Sequence, residues 1–229
     1  MQKRYTQTEC PSCDSSDAFT IYEDGSHCFS CNYSTKKKVK EMNDFKDLTT
    51  QSSSNMLAEI QDLNSFAITS RGISKQVIDY FGIKMSINPD GSGGSHYYPY
   101  TKDGKVTAYK ERVLPKSFQI HGDYRDTELF GQSSASGGKT LVITEGELDA
   151  CAVAQSFVDK YNKIFPVVSI PSATGIKVIL EQRDWIRTFE SIILLFDNDE
   201  AGKAAIEKAS KIIGAGKVKV GKLKEKDPC

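Results

Sequence analysis

From Lys139 onward the chain repeats a pattern that few architectures accommodate: a short apolar run, then a longer mixed stretch. TLVIT (140–144), PVVSI (166–170), SIILLF (191–196) and KVKVGKL (217–223) read as strands. Segments at about Glu147–Phe157, 176–188 and 200–213 read as helices between them. Strands alternating with helices predict an α/β unit with a mostly parallel, Rossmann-like sheet. In such sheets ligands gather beyond the carboxyl ends of the strands. Glu145 directly follows the first strand, Asp197 and Asp199 follow the third, and Asp149 lies one helical turn beyond Glu145.

Carboxylates placed together repel, and a divalent cation removes that penalty. Oxygen-only ligands suit magnesium or manganese better than zinc. A magnesium ion bridging a triphosphate neutralises developing charge and aligns the attacking oxygen, the basis of phosphoryl transfer. Any one acid at a strand end is commonly just solvated, and a lone D-x-D is weak. E-G-x-x-D after one strand together with D-x-D-x-A-G after another is far more specific.

Cys10, Cys13, Cys28 and Cys31 form C-x2-C, fourteen residues, then C-x2-C. The N-terminus has no apolar stretch of the secretory kind, so the expected location is a reducing cytosol, where paired thiols favour zinc over disulfides. The intervening stretch is long enough for a β-hairpin, with Asp24-Gly25 as its turn. Residues 1–35 hold few large apolar groups, and a tetrathiolate zinc contributes about 10–16 kcal/mol in small modules. With four ligands in place the zinc is expected to be structural. Asp24, Ser26 and His27 lie near the hairpin tip as candidates for reading base edges, or as plain turn residues. Cys151 sits in an apolar helical run and reads as core.

The chain has 229 residues, 38% hydrophobic and 26% charged, with 30 basic and 30 acidic side chains. That balance supplies a globular core, and its zero net charge leaves any nucleic-acid surface to local patches. No apolar run approaches the ~18 residues of a membrane span. A lysine-rich then polar stretch over 37–56 reads as a flexible linker. Residues 57–138 read as a mixed α+β subdomain. There Ile73, Val77, Ile78 and Phe81 share a helical face, Ser74 is placed to cap that helix and Gly82 to end it. Gly91–Gly94 breaks the chain, and strands at 96–100 and 105–113 flank an Asp103-Gly104 turn. Alternation along the second strand puts Lys110 and Arg112 on one face, a candidate phosphate seat extended by Lys116, although polar sheet faces are commonly just exposed.

TEGELD (144–149) and FDNDEAGKAA (196–205) resemble the two signature motifs of the Toprim domain. A four-cysteine ribbon, a linker and then Toprim is the order of primases. With TSRGISKQ (69–76), YKERVLPKSF (109–118) and ELFG (128–131), the whole chain is similar to the primase half of T-seven-like phage primase–helicases. The resemblance implies domains at 1–36, 37–56, 57–138 and 139–229. It makes Glu145, Asp197 and Asp199 the catalytic cluster for Mg2+ or Mn2+, with Asp149 and Asp227 (in KDP, 226–228) as further acids. It assigns Lys110, Arg112, Lys116 and Lys203 to nucleotide or template, beside one structural Zn2+ on the four cysteines.

The implied activity is DNA-templated synthesis of short RNA primers from ribonucleoside triphosphates on single-stranded DNA, in the cytoplasm of a phage-infected bacterium. A hexameric helicase is the implied partner, in cis or in trans. No Walker A pattern occurs, and the chain stops at Cys229, so a primase portion of a longer protein is expected. A catalytically silent DNA-binding appendage of a helicase is the alternative, and a Toprim nuclease or topoisomerase a third.

Overall fold

The computed structural model describes residues 6–8, 11, 19–21, 25–28, 33–36, 55–90, 92–113, 117–135, 137–171 and 176–221. The chain divides into two compact units, Met1–Thr49 and Thr50–Cys229. In the first, strands β1 (Thr6–Thr8), β2 (Phe19–Ile21), β3 (Gly25–Cys28) and β4 (Ser34–Lys36) form an antiparallel sheet in that order. The hairpin expected between the two cysteine pairs is β2–β3, with Phe19 opposite Cys28. Cys28 is buried, and its N–H donates to the Tyr33 carbonyl at 2.8 Å. Cys10, Cys13, Cys31 and Asp24 lie outside the described residues.

The second unit opens with a helix over 55–61, α1. Helix α2 (Lys75–Phe81) buries Val77, Ile78 and Phe81, and Gly82 ends it at φ 66°. Ser74 occupies the N-cap position with extended backbone, but its side chain does not cap. Its N–H donates to Gln155 Oε1 at 2.8 Å.

An antiparallel sheet follows: β5 (Lys84–Ile87), β6 (Gly93–Lys102), β7 (Lys105–Val113) and β8 (Ser117–Gly122). Asp103 and Gly104, both at positive φ, make the tight β6–β7 turn. Gly93 and Gly94 do not interrupt the chain; they start β6. A Cβ on Gly94 would lie 2.4 Å from Ser86 Oγ and 3.0 Å from its carbonyl oxygen, so glycine lets β6 lie against β5.

On one face of this sheet Glu111 accepts from Tyr97 Oη at 3.1 Å and from His121 Nε2 at 2.6 Å. The hydrogen bond from His121 is the main cause that holds the Glu111 carboxyl below the usual carboxylate range. A depressed folded-state pKa contributes stability that is present above the unfolded value and lost as pH falls through the folded one. Wild type is therefore expected to lose stability on acidification from about pH 5 to pH 3 more steeply than Glu111→Gln. Urea denaturation across that range measures the difference, and parallel curves would refute it.

The third sheet consists of β9 (Thr140–Thr144), β10 (Val167–Ser169), β11 (Ser191–Leu195) and β12 (Val218–Val220). All three pairings are parallel, in the order β10-β9-β11-β12. Helix α3 (Glu147–Tyr161) runs four residues past the expected end and closes at Asn162, at φ 51°. The single helix expected at 176–188 is two, α4 (Ile176–Glu181) and α5 (Arg183–Ile186). They are separated by Gln182, whose side-chain oxygen accepts from Gln132 Nε2 at 2.8 Å. Helix α6 (Glu200–Ile213) matches its expected span.

Alternation along β9 sends Val142 to one face, against α2, α3 and the antiparallel sheet, and Leu141 and Ile143 to the other, against α4 to α6. The parallel sheet is thus covered on both sides, as its continuous apolar runs require. Among the described residues no helix is long and apolar enough to cross a membrane.

Candidate active site

The carboxyl end of the parallel sheet carries the predicted acids. Thr144 of β9 pairs with Leu195 of β11, so Glu145 and Asp197 leave neighbouring strands side by side. The Asp197 N–H donates to Glu145 Oε2 at 3.3 Å, which draws the two together. Asp199 caps α6: its Oδ1 accepts the Gly202 N–H at 2.9 Å. Asp149 stands in the first turn of α3, and a Cβ on Gly146 would come within 2.8 Å of its Oδ2. The glycine of E-G-x-x-D leaves room for that carboxylate. Acids in the first turn also meet the positive end of the helix dipole. All four acids are half-buried. Among the described residues, no three His, Cys, Asp or Glu side chains converge closely enough to form a closed metal cage.

The basic residues divide. Lys110 and Arg112 do share a face of β7, both lying over the Phe118 ring at 4.8 and 5.9 Å. Lys110, however, is largely buried rather than set on an open sheet face. Its side chain is 14% exposed, and Nζ donates to Glu147 Oε1 at 2.8 Å and to the Pro171 carbonyl at 2.9 Å. Glu147 also accepts from Tyr100 Oη at 2.5 Å. Lys203 is exposed on α6 and pairs with Glu200 at 2.8 Å. His27 of the first unit is half-buried on β3, opposite Thr20. Lys116 and Asp227 lie outside the described residues.

A cavity of about 600 Å³ is lined among others by Arg71, Met85, His96, Arg112 and Leu148. Leu148 belongs to α3, whereas none of the predicted acids lines the space. Burial first, and then the charges of Arg112 and Arg71, hold the His96 imidazole below its ordinary pKa. The neutral ring therefore leaves the positive charge of this wall to the two arginines. Sequence reasoning did not single out Arg71, His96 or Glu147. Arg71 and Glu147 lie inside quoted motifs, TSRGISKQ and TEGELD, but periodicity gives neither residue a partner.

A Toprim-like family model matches residues 142–229. A DNA helicase/primase of Enterobacteria phage T3 is 31% identical over 95% of this chain, and the chain spans 39% of that relative's length. The crystal structure of the primase fragment of the bacteriophage T7 primase-helicase protein superposes with a TM-score of 0.64 at 29% identity, covering 97% of this chain and 92% of that one. A chain from a T7 lagging-strand DNA polymerase assembly, which contains primase domains of two gp4 subunits bound to an RNA/DNA hybrid and dTTP, gives 0.62 at 36% identity. That match covers 72% of this chain and 82% of its counterpart. The Aquifex aeolicus primase, at 15% identity and a TM-score of 0.50, covers 94% of this chain and 71% of its own, a likeness of fold. Paired acids at the end of a parallel sheet, the Toprim match and likeness along nearly the whole chain agree: this chain belongs to the family of T7- and T3-type phage primase–helicases and corresponds to their primase portion.

Proposed function

We propose that this chain synthesises short RNA primers from ribonucleoside triphosphates on a single-stranded DNA template, as a nucleotidyltransferase working with a hexameric helicase in cis or in trans. The observation that carries the reading is the contact between Glu145 and Asp197 at the ends of adjacent strands.

The donors at that contact are carboxylate oxygens, the hard ligands that magnesium and manganese take. Magnesium keeps several waters and is usually held by one or two protein carboxylates plus substrate phosphates, so a site without a closed cage fits it. Glu145 and Asp197, already in contact, would hold the ion, with Asp199, Asp149 and Asp227 as further acids. Bound there, it supplies charge neutralisation on the transferring phosphoryl group. The chain's own residues do the rest. Arg112 and Arg71 attract phosphates to the cavity wall, with Lys116 and Lys203 as further contacts to nucleotide or template. Asp199 fixes the start of α6 and so the turn that carries Asp197.

The test is synthesis on a library of single-stranded templates with ribonucleotides and Mg2+ or Mn2+. Oligoribonucleotides of defined start are expected, and none on any template would overturn the reading.

In the first unit, Cys10, Cys13, Cys28 and Cys31 would hold one zinc ion, and Asp24 and His27 are the candidates for reading template bases. Cys28, buried on the second strand of the hairpin, has the placement a structural ligand needs. Elemental analysis is expected to find one zinc per chain in wild type and close to none after Cys28→Ser. Because Met1–Thr49 is a compact unit by itself, the main thermal transition of the second unit is expected to survive that loss. Retention of zinc by the serine variant would refute the assignment.

A further inference from the structure

Lys110 and Glu147 form an ion pair at 2.8 Å, with side chains 14% and 7% exposed. The pair bridges two layers: Lys110 comes from β7 of the antiparallel sheet, and Glu147 is the first residue of α3. The same ammonium also donates to the carbonyl of Pro171, two residues beyond β10, at 2.9 Å. Tyr100 of β6 adds a second donor to the same Glu147 oxygen. One cation therefore ties β7 to the ends of two neighbouring strands of the parallel sheet.

What lies between those anchors is Glu145. Only Glu145 and Gly146 separate β9 from α3. On the strand side, Thr144 Oγ1 donates to the Gly146 carbonyl at 3.1 Å and lies 3.3 Å from the Val168 carbonyl. On the helix side, Glu147 is fixed by Lys110 and Tyr100. A two-residue turn held at both ends has little freedom, and its middle carries the carboxylate that touches Asp197.

We infer that Lys110 and Glu147 are positioning residues: their buried pair sets the Glu145 carboxylate for divalent-cation binding. The inference rests on the metal-dependent reading of the acids given above. It also explains why a buried pair stands here rather than an apolar contact. Two apolar side chains of similar volume would stabilise the packing as well or better, but they fix no direction.

The decisive variant is the double substitution Lys110→Met, Glu147→Met, which leaves no buried charge unpaired. Mn2+ binding, read from the free-ion electron paramagnetic resonance signal without nucleotide or template, is expected to weaken about 10–100-fold, the usual loss when groups that orient metal ligands are removed. The melting temperature is expected to stay close to that of wild type. Wild-type Mn2+ affinity in the folded double variant would overturn the inference. So would a raised KM for ribonucleotide with Mn2+ affinity unchanged, because Lys110 would then be a substrate ligand. If the double variant does not fold, Lys110→Met, which removes both bonds of the ammonium and leaves Glu147 its Tyr100 donor, is expected to weaken Mn2+ binding in the same direction, and wild-type affinity there overturns the inference equally. The two readings separate cleanly. Wild type that binds Mn2+ but makes no primer refutes the primase activity and leaves the positioning role standing. Wild type that makes primer, with variants that bind Mn2+ normally, refutes the positioning role alone.

Discussion

Asp197→Ala is expected to abolish primer synthesis, lowering its rate by about 10³-fold or more, equivalent to about 4 kcal/mol of transition-state stabilisation. Asp197 sits just beyond β11, where alternation no longer turns its side chain into either core, and it is half-buried. Its backbone N–H, which survives the substitution, is the group that contacts Glu145. The variant is therefore expected to fold, with a melting temperature close to that of wild type, while its Mn2+ affinity falls. Asp197→Asn keeps the shape and removes only the charge, and it is expected to be nearly as inactive. A folded Asp197→Ala protein that makes primer at the wild-type rate would remove this end of the sheet from consideration as the active site.

The sheet bearing that residue was legible because parallel strands covered on both faces leave uninterrupted apolar runs. TLVIT and SIILL need no tertiary information to be read as strands, and their order in the chain puts Glu145 and Asp197 at the same end. The helix-to-helix break at Gln182 was not legible. It coincides with a hydrogen bond to Gln132, 50 residues away, which local propensity does not contain. Ser74 has the residue type and position of a cap, yet its side chain makes no cap bond, and the partner of its N–H, Gln155, is 81 residues away. The state of Lys110 was hidden for a related reason. Strand alternation correctly put it beside Arg112, but its charge is neutralised by Glu147, 37 residues later, and only the packing of one sheet on the other brings them together. Position on a face follows from period two, whereas availability of a charge depends on what covers that face.

Gly202→Ala is expected to destabilise the second unit, against the ordinary rule that alanine outranks glycine inside a helix by about 1 kcal/mol. Gly202 is buried in the first turn of α6. A Cβ there would lie 2.1 Å from the Asp197 carbonyl oxygen, 3.0 Å from its carbonyl carbon and 3.2 Å from its nitrogen. All three are backbone atoms at the end of a strand, so no rotamer change relieves the contact. The helix must tilt away or the strand end must shift, at a cost typical of overpacking, about 1–3 kcal/mol. At about 2–4 °C per kcal/mol for a domain of this size, a drop of several degrees in melting temperature follows. The displacement also falls on the residues that matter most. Gly202 N–H holds the Asp199 carboxylate at 2.9 Å, and the atoms it crowds belong to Asp197. Synthesis and Mn2+ affinity are therefore expected to fall even at temperatures where the variant is fully folded. This accounts physically for the glycine in D-x-D-x-A-G, whose missing side chain lets α6 begin against the turn that bears the acids. An alanine variant with unchanged or raised melting temperature would show that helix propensity outweighs the contact, and would leave the motif's glycine without this explanation.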